Sequence, residues 1–373
     1  MIPVNEPLVG ESESKYVLEC LRTGWISSQG HFIHEFEDQW AAYCGMSHGV
    51  AVSNGTVALE IAMACLDLQP DDEVILPTFT IISCAQAVTM RGLKPVLVDA
   101  DPRTWCMDVT QVETKITPRT RALMPVHIYG HPVDMDPLID LARKYNLIII
   151  EDAAEVHGAE YKGRKCGGLG DLGCFSFYAN KIITTGEGGM VLTRDAVQAE
   201  QLRSLRNLCF KKERRFYHTE LGHNYRLTNL QAAIGLAQLE RIEDSVAKKR
   251  WMGAAYTERL QHIHGLQLPI EELWAKNVYW MYGIVLDDAI GMNAVEFARR
   301  LAEAGIMTRP FFLGMHEQPV FHRMGLFLGE HYPVAEHIAR QGLYLPSGMT
   351  LTESQIDQVC EAVVRVLSGS AVC

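Results

Sequence analysis

No apolar run in this 373-residue chain reaches about 18 residues, the lower range for a helix crossing a bilayer, so no membrane-spanning segment is expected. Met1 leads into Ile2-Pro3-Val4-Asn5-Glu6-Pro7 with no basic stretch followed by an apolar one, so no export leader is expected and the cytoplasm is the expected compartment. Ten cysteines lie between Cys20 and Cys373, but no C-x-x-C pair is among them. That spacing suits free thiols in a reducing compartment better than a disulfide framework or a zinc site, and no metal site is expected. Basic charge is scarce: 34 Lys and Arg stand against 45 Asp and Glu, a net charge of −11. Nucleic acid and anionic membrane surfaces are therefore excluded as expected partners. Lys211-Lys212-Glu213-Arg214-Arg215 is the one dense basic cluster and reads as a solvated loop. Internal repeats and low-complexity segments are also missing.

What is present is an ordinary globular composition, 48% hydrophobic and 21% charged, in a chain long enough for two domains. From about residue 50 to 195, short apolar runs alternate with helical patterns. Gly49 to Val52, Glu73 to Pro77, Pro95 to Asp99, Ala122 to Val126 and Leu147 to Ile150 read as buried strands. Thr56 to Leu66 and residues 83 to 91 carry helical spacing. Strands this apolar, joined by helices, predict an α/β fold with a mainly parallel sheet covered on both faces, whose ligand binds at the carboxyl ends of the strands. A helix is expected over Asn229 to Arg250. Beyond it the rhythm changes: a strand from Val278 to Leu286, a helix from Asn293 to Ala304, and a last helix from Glu353 to Leu367. The boundaries expected are a large domain over 1–244 and a smaller α+β domain over 245–373, with the N-terminal segment packing near the latter and the active site.

The segment Cys174-Phe175-Ser176-Phe177-Tyr178-Ala179-Asn180-Lys181, followed by Ile182 to Met190, brings one lysine to the edge of a glycine-rich turn. Leu147-Ile148-Ile149-Ile150-Glu151-Asp152-Ala153-Ala154 brings an aspartate to the end of a buried strand. A lysine able to form a Schiff base, paired with an acid that keeps a pyridine nitrogen protonated, is what pyridoxal phosphate (PLP) chemistry requires. Ser53-Asn54-Gly55-Thr56 lies between a strand and a helix, where free N–H groups and the Thr56 hydroxyl make an anion site; Ser176 offers a second hydroxyl. Two other motifs carry less. Gly168-Leu169-Gly170-Asp171-Leu172-Gly173 matches the dinucleotide pattern G-x-G-x-x-G, but strand-like residues follow where a helix is needed. His127 and His131 have i,i+4 spacing, yet Gly130 and Pro132 argue against one helix carrying both.

Asp152-Ala153-Ala154, Ser176, Asn180-Lys181, Thr184 to Met190 and Gly222-His223-Asn224-Tyr225-Arg226-Leu227-Thr228-Asn229 resemble the DegT-type sugar-nucleotide aminotransferases. The resemblance extends from Gly24-Trp25-Ile26-Ser27-Ser28-Gln29-Gly30 to Tyr344-Leu345-Pro346-Ser347. It implies a type I PLP aminotransferase fold and a homodimer with shared active sites. Lys181 would be the Schiff-base lysine and proton shuttle, and Asp152 the pyridinium partner. Gly55, Thr56 and Ser176 would hold the phosphate, joined by Asn224 from the other subunit. Ala154 would lie under the ring. Glu155 stands near the ring hydroxyl where many relatives carry Gln or His. Ile81 stands where relatives place a stacking aromatic, and Phe79, of the same strand parity, is expected to supply that ring. Trp25, Ser27, Arg226, Arg309 and His316 would contact the substrate, although Leu313-Gly314-Met315-His316 departs from the usual aromatic-Pro-x-His. The implied reaction moves an amino group from glutamate to C4 of GDP-4-keto-6-deoxy-D-mannose. The alternatives are 3- or 4-amination of another GDP, UDP or dTDP keto-sugar, the PLP dehydratase branch in which histidine replaces the lysine, and a non-catalytic sugar-nucleotide binding protein.

Overall fold

The computed structural model describes residues 1–211 and 213–369; Lys212 of the basic cluster and Cys373 lie outside them. The β-branched and aliphatic runs form a seven-stranded sheet. In spatial order its strands are His48–Val52, Gly189–Thr193, Leu172–Ser176, Ile148–Asp152, Thr120–Leu123, Glu73–Pro77 and Lys94–Val98. The last five are parallel to one another. Parallel neighbours need a crossover, and the Phe177–Gly188 connection contains no helix, so Gly189–Thr193 returns antiparallel to both of its neighbours. All five residues of Leu172–Ser176 and of Glu73–Pro77 are buried, as a sheet covered on both faces demands.

The helix Gly55–Ala64 is apolar almost all round, with Val57, Ala58, Leu59, Ile61, Ala62 and Met63 buried. It packs on the strands Leu172–Ser176 and Gly189–Thr193 and under the helix Ser83–Thr89, which leaves few of its side chains a solvent face. Burying one such aliphatic side chain contributes about 2 kcal/mol. Asn54 caps the start, its Oδ1 accepting from Val57 N–H at 3.0 Å.

A second, four-stranded sheet has the order Leu266–Gln267, Tyr282–Leu286, Gly342–Leu345, Arg309–Pro310, antiparallel throughout. The helices Ile242–Leu260, Ala294–Glu303 and Glu353–Leu367 build a separate core on it from Tyr256, Phe297, Leu301, Ile356 and Val363. The N-terminal segment joins this half: Ile2 bridges to Ile306, and Val4 O accepts from Ser347 N–H at 2.8 Å.

Two expected elements differ. The helix expected over 229–250 is two helices, Asn229–Leu239 and Ile242–Leu260. Arg241 leaves helical geometry at the break (φ −120°, ψ 23°), with its guanidinium held by Leu8 O at 2.8 Å and by the Glu13 carboxylate. The first helix packs on the N-terminal helices Glu11–Thr23 and His31–Tyr43, the second on the small sheet's helices. The strand expected from Val278 begins only at Tyr282. Val278 N–H bonds Gly130 O and Met281 N–H approaches Tyr129 O at 3.4 Å, so tertiary pairing with that turn overrides the β pattern.

Candidate active site

The carboxyl ends of the parallel strands open on a cavity of about 570 Å³. The helix start Asn54–Val57, Thr80, Ile81, Ser83, Asp152, Ala154, Glu155, Ser176, Tyr178, Asn180, Lys181, Trp280, Phe312 and Tyr344 are among its walls. The sheet thus brings together Gly55, Thr56, Asp152, Ala154, Glu155, Ser176 and Lys181, half of the residues that the sequence pointed to, from more than a hundred positions of chain.

At one end is the anion cradle. Val57 N–H goes to Asn54 Oδ1 and Ala58 N–H to Asn54 O, which leaves the Gly55 and Thr56 amides for a ligand. Thr56 Oγ1 and Ser83 Oγ are 2.9 Å apart, and Ser176 faces the same helix start. A Cβ on Gly55 would stand 2.6 Å from Ser176 Cβ, so only glycine lets the helix approach that strand.

Asp152 is 3% exposed. Its Oδ1 accepts from Ala154 N–H at 3.1 Å and its Oδ2 from the Cys84 thiol at 3.0 Å. A carboxylate has room for about four donors, so this one keeps capacity for a ring N–H. Lys181 sits at the turn after Ser176, its Nζ 3.9 Å from Glu155 Oε1 and 3.7 Å from the centroid of the Trp280 indole. Burial pushes the Lys181 pKa down, against the opposing pull of the Glu155 and Asp152 carboxylates. Burial pushes Glu155 up to about 7, although Lys181 and the Tyr129 N–H, 2.8 Å from Oε2, favour its charged form. A lysine eased toward its neutral, nucleophilic form, an acid with spare hydrogen-bonding capacity, and an anion cradle fit an aldehyde, a ring nitrogen and a phosphate on one flat molecule. The unpartnered buried Asn180 Oδ1 in the same wall leaves one further acceptor for a ligand.

A model of the DegT/DnrJ/EryC1/StrS aminotransferase family matches residues 7–364. The chain belongs to that family. It is 44% identical over 367 residues to the GDP-perosamine synthase of Caulobacter vibrioides, with 98% of each chain covered. It is 40% identical to the GDP-perosamine synthase of Escherichia coli O157:H7, with 97% of each covered. The aminotransferase TlmJ of Streptoalloteichus hindustanus superposes with a TM-score of 0.92 at 31% identity over 99% of both chains. The fold is that of the PLP-dependent sugar aminotransferases; the chain is such an enzyme, and its cofactor is PLP.

Several expected site residues lie elsewhere. Phe79 does not reach the cavity: it is fully buried, its ring among Tyr129, Phe311 and Phe312. Ile81 and Phe312 face the cavity in its place, because the chain turns after Pro77 and strand parity no longer applies. His316 is also internal, with Nδ1 2.8 Å from Thr78 Oγ1 and Nε2 3.2 Å from Glu336 Oε1, so no substrate can reach its nitrogens. Trp25 is exposed, and the carbonyls of Trp25 and Ser27 are taken by Asn229. Arg309 is exposed and pairs across strands with Tyr344, which does line the cavity. Asn224 is exposed and does not line the cavity of its own chain.

The described residues of the basic cluster lie on a loop as expected, with Glu213, Arg214 and Arg215 exposed. Lys211 and Arg215 line a groove of about 570 Å³ together with Arg203, Arg206 and Arg226. The G-x-G-x-x-G stretch is closed to ligands, since the Gly167, Leu169 and Gly170 amides all donate to the Glu151 carboxylate at 2.8, 2.6 and 2.6 Å. Sequence reasoning missed Cys84 and Trp280, both against key groups. Their only signal was tertiary: nothing in the spacing of Ser83-Cys84 or Tyr279-Trp280 reports a partner 68 or about a hundred residues away.

Proposed function

We propose that the chain transfers the amino group of glutamate to C4 of GDP-4-keto-6-deoxy-D-mannose, giving GDP-perosamine. The observation that carries the substrate is the similarity, over nearly the whole of both chains, to two GDP-perosamine synthases. The geometry of the cavity supports the chemistry. When bound, PLP supplies an aldehyde that exchanges amines and a ring that accepts the electron pair released as a C–H bond breaks. Gly55, Thr56, Ser83 and Ser176 hold its phosphate at the helix start. Asp152 holds a proton on the ring nitrogen through a charge-assisted hydrogen bond. Lys181 Nζ is the nucleophile toward the aldehyde; once released, it takes the proton from the glutamate α-carbon and delivers one to C4 of the sugar. Glu155, 3.9 Å from Lys181 Nζ, would hold the ring hydroxyl.

A second copy of the chain completes the site in this reading. Asn224 is exposed outside its own cavity, on the loop that also exposes Phe216, Tyr217 and Leu221, and in the dimer it would reach the phosphate held by the partner subunit. The cofactor-binding domain runs to the helix break at Arg241, close to the expected boundary at 244, and the smaller domain takes the helix from Ile242 onward together with the N-terminal segment around Ile2 and Val4. The enzyme works in the cytoplasm, supplying an amino sugar for O-antigen or a related glycan.

The test is a panel of keto-sugar nucleotides incubated with the protein, PLP and glutamate, with products identified by mass and NMR. GDP-perosamine is the expected product. Amination of only a UDP or dTDP sugar, or nitrogen at C3, overturns the assignment.

A further inference from the structure

Trp280 stands out because the geometry holds it from several sides. Its Nε1–H donates at 2.8 Å to the carbonyl of Asn180, the residue before Lys181. Its own carbonyl accepts at 2.8 Å from Lys249 Nζ, a buried lysine that also donates to Ser347 O. The Tyr129 ring lies roughly parallel to it, 6.3 Å away. An indole anchored at its N–H and its carbonyl presents a fixed face to the cavity, and the Lys181 Nζ stands over that face at 3.7 Å. Glu155 Oε1, at 3.9 Å, lies beyond hydrogen-bonding distance of the same nitrogen. The indole centroid is thus nearer to the Lys181 Nζ than the Glu155 carboxylate is, and a desolvated cation over an indole is at the strong end of such contacts.

We propose that Trp280 is the platform on which Lys181 rests as an ammonium while it carries a proton from one carbon to the next. This rests on the reading of Lys181 as the lysine that bonds the cofactor aldehyde. Between taking a proton from one carbon and giving it to the next, the lysine must keep that proton in a cavity whose burial favours losing it. The indole face stabilises the charged form without offering an acceptor that could take the proton. No bond forms to the ring, and the proton stays on Nζ until the second carbon receives it. Trp280 is a positioning residue in this account.

The other titratable groups around this contact are Glu155, Asp152 and His157, which interact with Lys181, Tyr344 in the same cavity wall, and Tyr129 against the Trp280 ring. Burial drives His157 down to about 3, Tyr344 up to about 12 and Tyr129 well above its usual value, so these three stay neutral near neutral pH. Lys249, pushed down to about 7 by burial, faces the carbonyl side of Trp280.

The test replaces Trp280 alone with tryptophans of increasing fluorine content, which weaken the quadrupole of the ring while nearly keeping its shape. In the full-length chain freed of cofactor, the pH dependence of Lys181 acetylation by acetic anhydride is read by peptide mass spectrometry. The expected result is a stepwise fall in the Lys181 pKa, about one pH unit over the series. Trp280→Phe should fall part-way, and the basic limb of kcat should move with the labelling while KM for the sugar nucleotide holds. Every other group is common to the fluorinated series, so a Lys181 pKa that ignores fluorine content overturns the proposal. A failure of the underlying reading looks different: borohydride reduction of the loaded enzyme would then leave Lys181 untagged.

Discussion

Glu151 and Asp152 are neighbours on one strand, both buried, and their side chains point to opposite faces of the sheet. Glu151 is saturated. Its two oxygens accept three amides, and His127 Nε2 completes the set at 3.0 Å. Burial alone would raise its pKa, but His127 and the amides outweigh that and hold it below the usual value. Asp152 has only one amide and one thiol, and it faces the cavity. Two inward-turned lysines divide the same way, Lys249 at 1% exposure and Lys181 with a side chain 10% exposed. Lys249 is closed off by two backbone carbonyls, whereas Lys181 has an indole face, a carboxylate at 3.9 Å and open space. A buried charge with its hydrogen-bonding positions filled holds the fold together; one with positions left over at a cavity wall is available for chemistry.

The largest effect should come from Lys181→Ala. It should abolish turnover and the near-violet absorbance that PLP gives with a lysine, with the far-UV circular dichroism unchanged; retained turnover with glutamate would remove Lys181 from the mechanism. Next, Asp152→Asn should slow single-turnover proton transfer by roughly a thousandfold while shifting unfolding by about 1 kcal/mol or less. Glu151→Gln is the mirror case: its amide would face N–H donors, costing about 3 kcal/mol in urea unfolding, with the PLP absorbance retained. If these two variants exchange behaviours, the contrast between the faces is wrong.

Cys84→Ala should have a smaller effect, about tenfold on turnover, by freeing the Asp152 Oδ2 from its one side-chain donor. Cys84→Ser should restore most of that loss because a hydroxyl can donate in its place; equal loss in both would mean the thiol only fills space. The smallest effect concerns Glu155. Its folded pKa of about 7 lies above the ordinary 4.5, so the folded chain holds a proton that the unfolded chain has released across that window. Its contribution to stability is therefore present below about 4.5 and is lost as pH rises through about 7. Glu155→Gln should flatten the fall in Tm across that window, and an unchanged slope would place Glu155 among the groups without such a titration.

The parallel sheet was legible because strands such as Leu147 to Ile150 are buried on both faces and read as continuous apolar runs. Lys181, Asp152, Gly55, Thr56 and Ser176 were legible because each sits at a strand end or helix start, where local pattern and cavity coincide. Phe79 misled because parity holds only inside a strand, and this one ends at Pro77. The break at Arg241 was hidden since its cause is an ion pair with Glu13, far away in sequence. Trp280 and Cys84 were hidden for the same reason: their roles are contacts between distant segments, which no periodicity records.

The central claim is that of the two inward-turned lysines, Lys181 and Lys249, the one left with an open face is the one that bonds the cofactor. Reduction of the PLP-loaded protein with sodium borohydride, followed by peptide mapping, tests it directly. The account predicts a pyridoxyl group on Lys181 and none on Lys249. A tag on Lys249 or on any other lysine, with Lys181 unmodified, would contradict it.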